Sequence, residues 1–443
     1  MYIPDYVNRC IQRLEEKGFA TYAVGGCVRD HLLGRTPQDY DLCTSATPEQ
    51  MQQIFADHRL VLAGKKHGTV TVISDGNPIE ITTFRTEGGY GNHRHPDWVR
   101  YETNIEADLS RRDFTVNAMA YSPTRGLADP FGGQADLKNS ILRAVGDPHR
   151  RFTEDALRIL RGVRFAVRFS LTPEENTLQA MISLAPLMDN LSRERVFSEL
   201  CKLLTLINAH QLHQYIPILT QVIPELKPIV DFDQCSPHHA YDVYTHTAYV
   251  VENTPPDLAL RWSALLHDTG KSQSFYKDET GRGHFPEHAK LSAQIAQQVL
   301  LRLKAPNALR EQVVELVAMH MIPIVPDKRL LRRRLSQLGS ERLQQLLLLM
   351  EADTKSKGVE ENSRFPFPEI HALLAEIMAE DSCLSLRDLA VSGHDLMALG
   401  LAGKQVGSCL EHLLRQVLDE ALPNEKSALL AAARRYANKE DTL

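Results

Sequence analysis

No two of the seven cysteines (Cys10, Cys27, Cys43, Cys201, Cys235, Cys383, Cys409) form a C-x-x-C pair. That lack argues against a zinc ribbon or a disulfide frame and points to a reducing compartment. A long apolar run near the start is also missing. Asp5, Arg9, Arg13, Glu15, Glu16 and Lys17 interrupt residues 2–19 at helical intervals, so this stretch reads neither as a secretory leader nor as a membrane span. A cytoplasmic protein without a membrane partner is expected. Positive charge is not in excess either: Lys and Arg number 50 against 56 Asp and Glu, a formal net charge of −6. The total speaks against a nucleic-acid binder, but the charge is uneven. Lys328, Arg329, Arg332, Arg333 and Arg334 form one basic run, and Arg143, Arg150, Arg151, Arg158, Arg161, Arg164 and Arg168 another. Local basic surface, not the sum, sets phosphate attraction.

At 443 residues, 43% hydrophobic and 24% charged, the chain has a soluble globular composition and length for two to four folding units. Its organising stretch is Tyr22-Ala-Val-Gly-Gly-Cys-Val-Arg-Asp30 with Asp39-Tyr-Asp41. It reads as a strand, a glycine turn, a helix packed by Val28, Leu32 and Leu33 and ended at Gly34, then a second strand. Gly25 and Gly26 let backbone amides approach an anion where a helix begins. Asp39 and Asp41, two apart, point to one face of a strand. Two adjacent carboxylates repel unless a hard cation lies between them, and Mg²⁺ with phosphate oxygens meets that need.

This arrangement resembles the DNA polymerase β-type nucleotidyltransferase signature. The fuller string Gly-Gly-Cys-Val-Arg-Asp-His-Leu-Leu-Gly…Asp-Tyr-Asp-Leu is similar to the tRNA nucleotidyltransferase and poly(A) polymerase family. The resemblance implies an α+β polymerase-β-type head with Mg²⁺ on Asp39 and Asp41 and a triphosphate on Gly25, Gly26 and Arg29.

Further along, Thr69–Ile73 and Ile79–Phe84 alternate as strands joined by Asp75-Gly76, a hairpin signal. Glu80 either joins the acidic pair or faces solvent. Arg85–Asp97 is polar and glycine-rich and reads as a mobile loop. In the family such a loop is associated with adding the terminal A, and here Asn92 and His95 depart from its usual Asp and Arg. Arg111, Arg112 and Asp113 suit a phosphate and a ribose. By resemblance Arg112 is a nucleotide contact supported by Asp113 and Asn117.

From Phe152 the period becomes 3.6 and an all-helical remainder is expected. Thr153 is the expected N-cap of a helix burying Ala156, Leu160, Val163 and Val167. Asp155, Arg158, Arg161 and Arg164 recur every three residues along another side. Cytosine and adenine each offer an amino donor beside a ring-nitrogen acceptor; guanine and uracil offer the reverse. A carboxylate beside a guanidinium therefore accepts C and A and rejects G and U, because mismatched polar groups go unpaired. The family's Glu-Asp-x-x-Arg motif has this role, which assigns Asp155 and Arg158 to the base and Arg161 and Arg164 toward phosphates or base.

A third constellation is His246, His267-Asp268, His288, His320 and Asp353, each in or beside a helical stretch. Adjacent His and Asp let one turn supply an imidazole and a bridging carboxylate. His267-Asp268-Thr-Gly-Lys271 resembles the central signature of the HD phosphohydrolase superfamily. That resemblance implies one or two divalent transition metals: His246, His267, Asp268 and Asp353 around one, and His288, His320 and a shared Asp268 around the other. Lys271 is expected near phosphate. Beyond Gly358, a proline-rich linker at 365–368 precedes helices within 384–401 and 410–422 and a basic end at 434–439.

Four segments are expected: a nucleotidyltransferase head (1–127), a helical neck with the selecting motif (128–210), the HD segment (211–358) and a helical tail (359–443). The resemblance implies addition of C, C and A to tRNA from CTP and ATP without a nucleic-acid template, with no DNA partner. An A-adding, CC-adding or poly(A)-adding relative, an HD phosphohydrolase with a nucleotide-sensing head, and a non-catalytic RNA-binding module remain open, as does the oligomeric state.

Overall fold

The computed structural model describes residues 1–88, 98–359, 365–380 and 383–440, of which residues 438–440 are described by their backbone alone. Asn92 and His95 lie outside the described residues. Residues 1–227 with 301–305 form one unit, and residues 228–300 with 306–443 another.

In the first unit, strands β1 (Thr21–Val24), β2 (Asp41–Thr44), β3 (Arg59–Val61), β4 (Thr69–Ser74) and β5 (Asn77–Thr83) belong to a seven-stranded mixed sheet. A hairpin of β6 (Arg85–Gly88) and β7 (Trp98–Tyr101) stands apart, and β8 (Ala120–Ser122) and β9 (Gly126–Ala128) complete the sheet in the order β3-β4-β5-β2-β1-β8-β9. The β4–β5 turn pairs Ser74 with Asn77 and puts Asp75 and Gly76 at φ 50° and 79°, the left-handed pair a two-residue hairpin needs. β2 runs antiparallel to β1 and parallel to β5.

Helix α1 (Asp5–Glu16) buries Val7, Cys10, Ile11 and Leu14, one stripe at 3.6 spacing. α2 (Gly26–Leu32) follows the glycine turn; α3 (Pro48–Ile54), α4 (Ile105–Ser110) and α5 (Gly133–Lys138) complete the head. The helical part of this unit comprises α6 (Pro148–Glu154), α7 (Leu157–Phe169), α8 (Glu175–Ser183), α9 (Arg193–Leu204), α10 (Ala209–Gln214) and α11 (Ile216–Val222).

The second unit contains α12 (Val243–Asn253), α13 (Leu258–Leu266), α14 (Lys271–Ser274), most of α15 (His288–Arg302), α16 (Asn307–Met319), α17 (Lys328–Leu338) and α18 (Ser340–Lys355). Helices α19 (Phe367–Ala379), α20 (Gly393–Met397), α21 (Lys404–Leu418) and α22 (Lys426–Glu440) follow.

Several expectations change. Arg85–Gly88, read as the start of a loop, is a paired strand. Thr153 is not an N-cap: it lies in α6, and Asp155 adopts φ −145° and breaks the helix before α7. Asp155 accepts the Leu157 amide at 3.1 Å and so takes over the capping role. The remainder is mostly helical, yet Ile141–Leu142 pairs with Thr172–Pro173, and Tyr276–Lys277 with Gly283–His284. In the latter hairpin Asp278 accepts the amides of Thr280 and Arg282, and Gly281 supplies φ 83°. The expected linker at 365–368 ends in a helix start, because proline suits the first turn of α19. Between 384 and 401 the only α-helix among the described residues is the short α20.

The basic run on α17 is largely neutralised. Lys328 meets Glu376 and Glu380, Arg332 meets Glu380 and Glu420, and Arg333 meets Asp419. These pairs take up three of the five cations of the run.

Candidate active site and metal centre

Strand pairing brings the glycine turn to the acidic pair. Val24 sits opposite Asp41, so Gly25 begins its turn where β2 starts. Gly25 has φ 71°, which calls for glycine, and a Cβ there would lie 2.8 Å from Arg112 Nη1 and push that side chain aside. Asp39 precedes β2, so the pair is not carried by one strand as expected. Asp41 is exposed at the strand start, yet partial desolvation by its surroundings, then the charges of Glu80 and Asp39, raise its carboxyl above the ordinary range, while Arg112 pulls it down. The β2–β5 register pairs Leu42 with Ile81, which brings Glu80 to the Asp41 end of the pairing, where its charge acts on Asp41. An all-oxygen group of like charges fits a hard cation such as Mg²⁺.

Arg112 is positioned from behind. Its Nη2 donates to Asp108 Oδ2 at 3.4 Å and to Cys43 Sγ at 3.4 Å. Asp108 is fully buried and also accepts Arg111 Nε at 3.0 Å and the Arg85 amide at 3.3 Å. Burial would raise its pKa, but Arg111 and Arg112 hold it below the usual range. Asp108 is a site residue that the sequence reading missed.

Asp113 is the next hub. Arg161 donates to its Oδ2 from Nε at 2.9 Å and Nη2 at 2.6 Å, while Asn117 reaches Oδ1 at 3.1 Å. Burial alone would raise the Asp113 pKa; Arg161 and Asn117 prevail and lower it to about 2. Arg29, expected at the triphosphate, is 6% exposed and donates to Asn117 Oδ1 at 2.5 Å and to Asp30.

On α7 the arginines do not form a solvated ladder, because Arg158 and Arg164 are buried. Arg158 donates to Glu154 at 3.0 Å, to the Arg151 carbonyl at 3.0 Å and to the Arg111 carbonyl at 2.9 Å. Arg164 pairs with Glu199 at 2.6 Å. Asp155 receives Arg195 at 3.0 Å, a partner forty residues away that no local pattern reveals. The Arg111–Asp113 segment thus links the two halves, with Arg112 beside Gly25 and Asp41, the Arg111 carbonyl on Arg158 and Asp113 on Arg161.

In the second unit, ligand atoms of His246, His267 and Asp268 lie within 4.8 Å of one another, as do those of Asp268, His288 and His320. The expected six residues therefore converge, with Asp353 Oδ1 2.9 Å from His246 Nε2 and 3.7 Å from His267 Nε2. Buried His267 Nε2, His288 Nε2 and His320 Nε2 make no hydrogen bond of adequate geometry, whereas Asp268 Oδ2 is paired with Lys271 Nζ at 2.7 Å. Burial would lower the His267 pKa, but Asp268 and Asp353 raise it to about 9, and burial pushes His320 down to about 3. A divalent cation would replace the proton these carboxylates hold on His267, and mixed imidazole and carboxylate donors suit a transition metal. The cluster opens into a cavity of about 240 Å³ also lined by Lys271, His239 and Lys357.

Residues 21–143 match the family described as poly A polymerase head domain, and residues 285–433 that of tRNA nucleotidyltransferase domain 2. A CCA-adding enzyme of Levilactobacillus brevis is 35% identical over 426 residues, 95% of each chain. The chain belongs to the CCA-adding enzyme family. The CCA-adding enzyme of Enterococcus faecalis is 32% identical, covering 97% of this chain and 95% of its own. Among solved structures, the Bacillus stearothermophilus CCA-adding enzyme in complex with CTP matches with a TM-score of 0.69 and 27% identity over 100% of both chains. The Thermotoga maritima CCA-adding enzyme complexed with tRNA, at 20% identity and a TM-score of 0.59 over 97% of this chain and 95% of its own, shares the fold. No helix among the described residues is long and apolar enough to cross a membrane.

Proposed function

We propose that this chain adds C, C and A to the 3′ end of tRNA, using CTP and ATP and no nucleic-acid template. The observation that carries the reading is the Arg111–Asp113 link between the acidic cluster and the α7 arginines, in a chain that two CCA-adding enzymes match over nearly its whole length. Asp39 and Asp41, with Glu80 beside them, hold Mg²⁺. When bound, the cation supplies charge compensation for the triphosphate and acidifies the attacking 3′-hydroxyl. Gly25, Gly26 and Arg112 receive the triphosphate, with Arg29 holding Asn117 behind them. Asp113 orients Arg161. Asp155 and Arg158 present acceptor and donor to the base edge, Arg195 and Glu154 fix their orientation, and Arg164 anchors α7. The head, neck, HD segment and tail are retained as four functional segments. His246, His267, Asp268, His288, His320 and Asp353 hold one or two divalent transition metals in a phosphoester-hydrolysing HD site.

The test is incorporation of labelled nucleotide into tRNA lacking its 3′ end, with each triphosphate alone and in combination. CTP alone should extend by C, CTP with ATP should restore CCA, and GTP or UTP should add nothing. Incorporation restricted to A, to C or to a long A tail assigns the chain to a relative of narrower or different product.

A further inference from the structure

Beside the nucleotide site, three guanidinium groups converge on one ring. Arg29, Arg35 and Arg168 lie 4.1, 5.3 and 5.4 Å from the Phe169 centroid. Phe169 is buried and stacks on Phe165 with centroids 6.1 Å apart, so the ring is a fixed platform for cations. Arg29 has its carboxylate in Asp30. Arg35 and Arg168 are exposed, and among the described residues the ion pairs include no acidic partner for either. Helix C-terminal carbonyls near both offset part of the charge, but the excess remains positive and open to solvent.

The cluster borders the triphosphate turn through Arg29, whose Nη2 lies 3.6 Å from the Cβ position of Gly26, while Arg35 and Arg168 stand away from the incoming base. Asp155 precedes α7 and Phe169 ends it, which at about 1.5 Å per residue puts them some 20 Å apart. Gly25 and Arg35 likewise flank opposite ends of α2. A base at Asp155 and a triphosphate at Gly25 leave Arg35 and Arg168 free for a second anion. An exposed pair of guanidiniums beside a nucleotidyl-transfer site suits a phosphodiester of the strand being extended.

We propose that Arg35 and Arg168, held over Phe169, bind a backbone phosphate of the RNA acceptor strand and so position its 3′ end. The proposal rests on the RNA-extending reading above, and its test is separable from that reading because binding is measured without nucleotide. Affinity of tRNA lacking CCA is followed by fluorescence anisotropy across a salt series for the wild type, Arg35→Gln, Arg168→Gln, Arg168→Lys and the Gln double variant. Calorimetry and CTP titration run in parallel. The double variant should bind tRNA about tenfold more weakly, with a log–log salt slope shallower by roughly 1 to 2. R168K should recover much of the affinity, and the affinity for CTP should stay within about twofold of wild type. An unchanged tRNA affinity and slope in a folded double variant overturns the proposal and makes the stack structural. Weakened CTP binding with tRNA binding intact also overturns it, by giving the cluster to the triphosphate. Wild-type protein that binds tRNA but incorporates no nucleotide defeats the function reading alone.

Discussion

The Asp113–Arg161 pair is the sharpest place to test how the site is held. Asp113 is 7% exposed and its pKa is lowered from 3.8 to about 2. A shift of roughly two units at about 1.4 kcal/mol each gives about 2–3 kcal/mol of stability from the ionised form. Asp113→Asn keeps the shape, removes the charge and leaves Arg161 facing an amide. Breaking a buried pair costs about 3–5 kcal/mol, and the lower end applies because the Arg161 side chain is 36% exposed. At about 2–4 °C per kcal/mol for a unit of this size, the first unit's thermal transition falls by roughly 10 °C. Calorimetry is the assay, since two units need not melt together.

Two further arms make the reasoning refutable. Arg161→Met in the D113N background removes both charges, so the double variant should be more stable than D113N alone by about 1–2 kcal/mol. In the pH arm, the folded pKa lies below the unfolded one, so the contribution is complete above 3.8 and is lost as pH falls toward 2. The wild type–D113N gap should therefore close over that interval. A D113N shift below about 2 °C, or additive losses in the double variant, would refute the pair as the hub.

Three other outcomes follow from the same geometry. Gly25→Ala forces φ 71° on a residue with a Cβ and displaces Arg112; about 1–2 kcal/mol of stability should go with at least a tenfold weaker CTP affinity by calorimetric titration, and unchanged CTP binding would remove the turn from the triphosphate site. Asp41 is held above its usual pKa, so its ionised form costs stability at neutral pH; Asp41→Asn should raise the melting temperature in EDTA while incorporation drops by at least about a thousandfold, and a lower melting temperature contradicts the electrostatic account. Asp268→Ala removes the carboxylate shared by both histidine groups; elemental analysis should find transition metal in the wild type and little in the variant, with C and A incorporation within about twofold, and metal retained by the variant would place it elsewhere.

What the sequence made legible was local. The hairpin at Asp75-Gly76, the strand–turn–helix around Gly25 and the periodic α1 are each written within a dozen residues, where turn chemistry and burial agree. The six His and Asp residues were legible for a different reason, since such residue types are rarely buried together without a ligand. What stayed hidden was partnership across distance. Asp108 reads as an ordinary first-turn acid of α4, and only the fold puts Cys43, Arg85 and Arg112 around it. The break at Asp155 was hidden because the flanking residues keep helical spacing through it, while the side-chain cap that causes it competes locally with the helix.

That break bears on selectivity. Had α6 run on into α7, Asp155 would sit one turn before Arg158 on a helix face, and the two would satisfy each other. Extended backbone at Asp155 gives its carboxylate to Arg195 instead, and Arg158 finds Glu154 and two carbonyls. Under the proposed function, acceptor and donor are therefore held by separate partners and are not spent on one another. Arg195→Ala should then leave CTP and ATP bound but relax the rejection of GTP and UTP, because a carboxylate free to rotate no longer enforces the donor–acceptor order. Misincorporation opposite wild type, scored as the ratio of kcat/KM values, measures it. Discrimination unchanged in the folded variant would move the selecting contact away from Asp155.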